Sequence, residues 1–163
     1  MSDTEQLKSL GAKETTYYDK PNIQILETFE NRNQENYNLV SFVQEHDEFT
    51  SLCPKTGQPD FAKMEVIYVP DEKMVESKSL KLYFFSYRNE GSFHEDVCNQ
   101  IANDLFEKLE PFYLRVYGDF VPRGGIAIKP MVETWGTDPE DIDNISMVHM
   151  IRAMVNSFDS KQK

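Results

Sequence analysis

Two cysteines, a short list of acids and one histidine carry most of the chemistry this sequence could perform. Cys53 lies between Leu52 and Pro54. A thiolate is a strong nucleophile, and loops on rigid scaffolds carry function, although most free cysteines are buried small hydrophobes. Asp60 follows seven positions later, across a stretch rich in Pro and Gly that can fold the two together. Its plainer role is that of a turn aspartate after Pro59. The run Glu76-Ser77-Lys78-Ser79-Leu80-Lys81 mixes an acid, hydroxyls and bases. It reads as a helix start with Ser77 or Ser79 as N-cap, and the same geometry of amides and lysines can hold an anion. His94 and Glu95 sit in the first turn of a clear helix, where Ser92 and Glu95 have capping-box spacing. Arg123-Gly124-Gly125 puts a guanidinium on a turn whose glycines permit close approach or positive φ. Cys98, one helical turn after His94, suits core packing. Taken singly, each of these residues favours its structural role.

The elements that must position them follow from hydrophobic period. Residues 37–46 and 62–69 alternate as strands, with residues 53–60 a loop between them, and suggest an antiparallel pair. Residues 77–88 fit both periods: Leu80, Tyr83, Phe84 and Tyr87 recur as in a helix, and Leu80, Leu82 and Phe84 as in a strand. Residues 92–109 form a helix with Val97, Ile101, Leu105 and Leu109 on one stripe. Residues 112–120 alternate again. Pro122 to Gly125 turns the chain into a strand over 126–135, which Pro130 breaks or places at an edge. Residues 136–143 form an acidic loop. Residues 145–158 form a helix with Val148, Ile151 and Val155 on one stripe, and Met147, Met150 and Met154 beside it. With 77–88 taken as helix, the core order is β-β-α-α-β-β, an α+β pattern with helices on an antiparallel sheet. Such a sheet leaves two edges open to pairing. The expected organisation is an N-terminal arm over 1–36, a core unit over 37–135 and a C-terminal extension over 136–163.

Composition narrows the functions available. The 163 residues are one domain's worth, and 12% aromatics argue against disorder. A net charge of −11 disfavours sequence-independent binding to nucleic acid, which needs Lys and Arg on phosphates. Residues 1–10 lack the basic start and apolar run of a signal peptide, and no stretch approaches the length of a membrane span. Two cysteines cannot build a disulfide framework, so a reducing, cytoplasmic setting is expected. No Cys or His pair has the spacing of a zinc finger, and no metal is expected.

Together the motifs are far more specific than any one of them. Leu52-Cys53-Pro54, Thr56-Gly57-Gln58-Pro59-Asp60, Glu76-Ser77-Lys78-Ser79-Leu80-Lys81, Phe93-His94-Glu95 and Arg123-Gly124-Gly125 closely resemble the NADPH-dependent 7-cyano-7-deazaguanine reductases, the nitrile reductases of queuosine biosynthesis. The resemblance spans about residues 37–135 and is to the single-module branch. It implies the tunnelling fold, an antiparallel sheet with two helices on one face, closing into a barrel by oligomerisation. The homo-oligomer implied is a decamer of two pentamers with sites between subunits, binding 7-cyano-7-deazaguanine and NADPH but no nucleic acid. Residue by residue, it implies Cys53 as nucleophile and Asp60 as proton donor. Val75, Glu76, Ser77, His94 and Glu95 would contact the substrate, and Ser77, Lys78, Arg123 and Gly124 the NADPH. A GxGxxG fingerprint is absent, so cofactor binding of the Rossmann type is not expected. The rivals are another pterin- or purine-converting enzyme of the same fold, such as a cyclohydrolase, and a purine-binding module with an inert Cys53.

Overall fold

A computed structural model describes residues 17–162. Strand β1 (Thr28–Glu30) precedes a long hairpin of β2 (Val40–Leu52) and β3 (Pro59–Val69). After β4 (Lys73–Val75) come helices α1 (Ser77–Phe85) and α2 (His94–Leu109). Strands β5 (Tyr113–Phe120) and β6 (Met131–Trp135) follow, and helix α3 (Ile145–Lys161) is the last element. The main sheet is antiparallel in the order β2-β3-β5-β6, and β1 pairs with β4 in a small second ladder. Without that small ladder and α3, the order is β-β-α-α-β-β.

The residues explain the layers. Ala62, Met64, Val66 and Tyr68 of β3 and Leu114, Val116 and Phe120 of β5 point to one face. There they pack against Leu80, Tyr83 and Phe84 of α1 and Val97, Ile101 and Leu105 of α2, all buried. Gly118 lies in the same β5 row, where a Cβ would come within 2.9 Å of Cys98 Sγ. The close approach of α2 therefore requires glycine there. Val69 and Tyr113 point to the other face, where α3 covers them with Ile151 and Val155. Arg115 fastens that cover, donating to both carboxylate oxygens of Asp159 at 2.9 and 2.7 Å and to Glu65 at 2.9 Å. Thus two helices share one face as expected, and the third takes the opposite face.

Several boundaries differ from the sequence expectations. Residues 77–88 are helical: α1 is followed by a 3-10 turn over Ser86–Asn89. The first strand does not end at His46. A bulge between Gln44 and Phe49, with His46 and Asp47 at φ 64° and 52°, absorbs the polar run and lets pairing resume to Leu52. The loop closes earlier than expected, because Ser51 pairs with Asp60 and Leu52 with Pro59. Proline is tolerated there as the first residue of a strand. The last strand starts at Met131, after Pro130, and not at Ile126. Of the expected arm, residues 1–16 lie outside the described residues, whereas Ile25 and Leu26 belong to the main core.

Candidate active site

Cys53 stands at the head of the β2–β3 connection. Its N–H donates to the Gln58 carbonyl at 2.8 Å, and its carbonyl accepts from Gly57 N–H at 2.9 Å. Gly57 has φ 69°, a conformation that favours glycine. This folds the loop back on itself, with Cys53 a free and half-buried thiol. The Thr56 hydroxyl, then the Lys55 and Thr56 N–H groups, hold the Cys53 thiol below its ordinary pKa; burial and Asp60 oppose them. The thiolate, which is the reactive form, is therefore favoured. Thr56 was not among the expected site residues, although a hydroxyl three positions after the cysteine was visible in the sequence.

Asp60 is not a loop residue but the outermost member of the buried row of β3, and is 4% exposed. Its Oδ1 lies 3.1 Å from His94 Nε2 and 2.8 Å from Arg123 Nε. Buried carboxylates require such partners. His94 stacks on Phe120, with ring centroids 4.0 Å apart and planes at 13°. Its Nδ1 is buried and has no hydrogen-bond partner. Arg123 also reaches Gln58 and the Pro59 carbonyl. It is placed by a two-residue turn, in which Arg123 and Ile126 exchange backbone hydrogen bonds around Gly124 and Gly125 at φ 59° and 79°. Positive φ at both central positions is what such a turn demands.

The capping box does not form. Helix α2 begins at His94 with Phe93 as N-cap and no side-chain cap. Ser92 N–H instead bonds the Leu52 carbonyl at 3.0 Å, while Leu52 N–H bonds the Glu90 carbonyl at 2.9 Å. This strap ties the start of α2 to the residue before Cys53, and leaves the exposed Glu95 carboxylate without a capping duty. Cys53, Asp60, His94, Glu95 and Arg123 line one cavity of about 200 Å³ together with Phe93.

The other expected contacts lie elsewhere in the chain. Val75 ends β4 and is buried, its N–H bonded to Tyr68 Oη at 3.2 Å. Glu76, not Ser77 or Ser79, is the N-cap of α1, because its carboxylate accepts from Ser79 N–H at 2.8 Å. Ser79 is buried and its hydroxyl bonds backbone, so it cannot also cap. Ser77 and Lys78 are exposed on the first turn. Val75, Glu76, Ser77 and Lys78 do not line the Cys53 cavity. Cys98 is fully buried beneath Gly118, and burial pushes its thiol up to about 12, so it is the inert cysteine of the two. Among the described residues no group of three or more His, Cys, Asp or Glu could hold a metal ion, and no helix could cross a membrane.

The donors suit an anionic dinucleotide in kind. Lysines at the start of α1, the Ser77 hydroxyl and the Arg123 guanidinium are phosphate-binding groups. In one chain they stand in two places, with Arg123 in the Cys53 cavity and Ser77 and Lys78 outside it.

Comparison with known proteins places this geometry in context. A family profile described as "QueF-like protein" matches residues 59–138. The NADPH-dependent 7-cyano-7-deazaguanine reductase of Helicobacter pylori strain Shi470 is 60% identical over 129 residues, covering 79% of this chain and 86% of that protein. The protein of the same name from Streptococcus thermophilus strain LMD-9 is 54% identical over 133 residues, 80% of either chain. A crystal structure of the archaeosine synthase QueF-Like, in the apo form, matches with a TM-score of 0.56 at 21% identity. It covers 64% of this chain and 99% of that one, a likeness of fold.

Proposed function

This chain belongs to the NADPH-dependent 7-cyano-7-deazaguanine reductases, and from that membership we propose that it reduces the substrate nitrile through a covalent adduct on Cys53. The reaction is a four-electron reduction of a nitrile to an aminomethyl group, in the queuosine pathway. The observation that carries the mechanism is the lowered thiol of Cys53 in the same cavity as the buried Asp60–His94 pair.

The Cys53 thiolate adds to the electrophilic nitrile carbon. A C–S bond forms as one C–N π bond breaks, and the nitrogen takes a proton, leaving a thioimide. Asp60, its Oδ1 held by His94 Nε2 and Arg123 Nε, takes the proton that the Cys53 thiol gives up on ionising and passes it to that nitrogen. NADPH, when bound, supplies one hydride per molecule, so two molecules complete the reduction. After the first hydride arrives, the C–S bond breaks, Cys53 leaves as thiolate and an imine remains. The imine would then take a second hydride, and Asp60, recharged with a solvent proton, would protonate its nitrogen to give the amine. The exposed Glu95 carboxylate accepts two hydrogen bonds from the N–H/NH₂ edge of the deazaguanine, and the Nδ1 of His94, buried with no hydrogen-bond partner, is available to the same ligand. Cys53 must remain a free thiol, which a reducing cytoplasm provides.

Val75, Glu76 and Ser77 complete the substrate site, and Ser77, Lys78, Arg123 and Gly124 the cofactor site, across a boundary between copies. Two features support this. Val75, Glu76, Ser77 and Lys78 do not line the Cys53 cavity of their own chain, and the main sheet ends on two open edges, β2 and β6. Sheets closing edge to edge into a tunnelling-fold barrel, two pentamers to a decamer, would bring both groups together.

The test is the adduct itself. Incubated with 7-cyano-7-deazaguanine and no NADPH, the protein gains one substrate mass by mass spectrometry, and Cys53→Ala gains none. Turnover retained in Cys53→Ala would overturn the covalent mechanism.

A further inference from the structure

A buried polar chain ties α1 to α2 outside the Cys53 cavity. Tyr83 donates its hydroxyl to Asp104 Oδ2 at 2.6 Å, and Gln100 Nε2 donates to Asp104 Oδ1 at 2.7 Å. The Tyr87 hydroxyl lies 2.9 Å from that of Tyr83. A phenol carries one proton; that of Tyr83 is given to Asp104, so Tyr87 donates to Tyr83. Both tyrosines are at most 1% exposed and Asp104 is 9% exposed. Burying a carboxylate costs several kcal/mol before its partners offset it. An apolar helix contact would have avoided that cost.

Tyr87 is where this chain meets the site. It lies in the 3-10 turn after α1, and its carbonyl accepts from Glu90 N–H at 2.9 Å. Glu90 and Ser92 in turn form the strap that grips Leu52, the neighbour of Cys53. A continuous path therefore runs from Asp104 through Tyr83, Tyr87 and Glu90 to Leu52, and back to the start of α2 two residues before His94. Chemistry between a thiolate and a nitrile tolerates little misplacement, about 1 Å costing roughly 100-fold.

We propose that Tyr87, Tyr83 and Asp104 are positioning residues, setting where the Cys53 loop stands against His94. The kinetic part rests on the reading of Cys53 given above, while the structural part is read without it. In Tyr87→Phe, the Leu52 and Ser92 amides exchange with deuterium about tenfold faster than in the wild type, while Val66 and Val116 in the central ladder keep their rates. In the same variant kcat falls about tenfold and KM for the nitrile stays within about twofold. Asp104→Asn keeps an acceptor for Tyr83 and, once the Gln100 amide turns over, its second bond; both readouts then stay within about twofold of the wild type. Asp104→Ala behaves as Tyr87→Phe or worse, and Tyr87→Phe decides if that variant does not fold. Unchanged exchange at Leu52 and Ser92 in Tyr87→Phe overturns the proposal, as does a lower melting temperature with exchange and kcat unaltered. Absence of the nitrile adduct in the wild type would overturn the role of Cys53 instead, and the exchange rates would still decide the positioning.

Discussion

Thr56 supplies the largest stabilisation of the Cys53 thiolate, through one hydroxyl hydrogen bond. Thr56→Val keeps the shape and removes the hydroxyl. The thiol is an acid whose midpoint is held down, so losing that bond moves the midpoint up and shrinks the thiolate fraction at neutral pH. Alkylation rates of Cys53 measured against pH should show the midpoint displaced upward and the rate at pH 7 reduced; a superimposable profile would show that Thr56 is irrelevant. Glu95 is the second test at this scale. Phe93, not Ser92, is the N-cap of α2, so Glu95 has no capping-box partner to lose. Glu95→Gln replaces a pair of acceptors by one acceptor and one donor. Charged hydrogen bonds contribute about 1.5–3 kcal/mol each, so KM for the deazaguanine should rise at least about tenfold. The melting temperature should fall by no more than about 5 °C, since the change removes no cap and costs only the attraction of a first-turn charge for the helix N-terminus, about 0.3–1 kcal/mol. A destabilised protein with unaltered KM would return Glu95 to a purely structural role.

Among the elements, β5 and α2 meet closely at Gly118. A Cβ there would lie 2.8 Å from the Phe120 ring and 2.9 Å from Cys98 Sγ. Phe120 is also the surface on which His94 stacks, so the crowding reaches the site. Gly118→Ala should lower stability by about 1–3 kcal/mol, the usual cost of overpacking a filled core. Urea unfolding would measure it. Adding Cys98→Ala removes one of the two obstructing atoms and should return part of the loss. No recovery in the double variant would mean that Phe120 alone sets the limit. The same contact explains why Cys98 is a packing residue: it sits beneath a glycine, with its thiol pushed up to about 12.

For the whole molecule the decisive question is what meets the two open edges of the sheet. Strands β2 and β6 are its outer members, and Val43 on β2 and Met131 on β6 are exposed. If copies close these edges and share the site, sedimentation should show a large assembly, with a decamer expected. Specific activity should fall as dilution dissociates it. A fully active monomer at assay concentration would refute both the ring and the shared site.

Sequence alone determined the features that depend on local period and on motif. The stripe Val97, Ile101, Leu105 and Leu109 repeats at helical spacing and is buried throughout. The alternation over residues 62–69 and 112–120 needs only a two-residue period, and both became central strands. The grouping of Cys53, Asp60, His94, Glu95 and Arg123 came from motifs whose family resemblance the relatives bear out. Their meeting in one cavity required the folded chain. What tertiary structure decided depends on partners distant in sequence. The pairings of Ser51 with Asp60 and Leu52 with Pro59 turned an apparent loop into strand ends. The Leu52 backbone took Ser92 N–H and dissolved a capping box that local spacing favours. Residues 77–88 satisfied two periods equally until Ser79, capped by Glu76, and the buried bond from Tyr83 to Asp104 made them a helix. Local spacing cannot weigh such bonds, because their energy depends on groups that only the assembled core brings within reach.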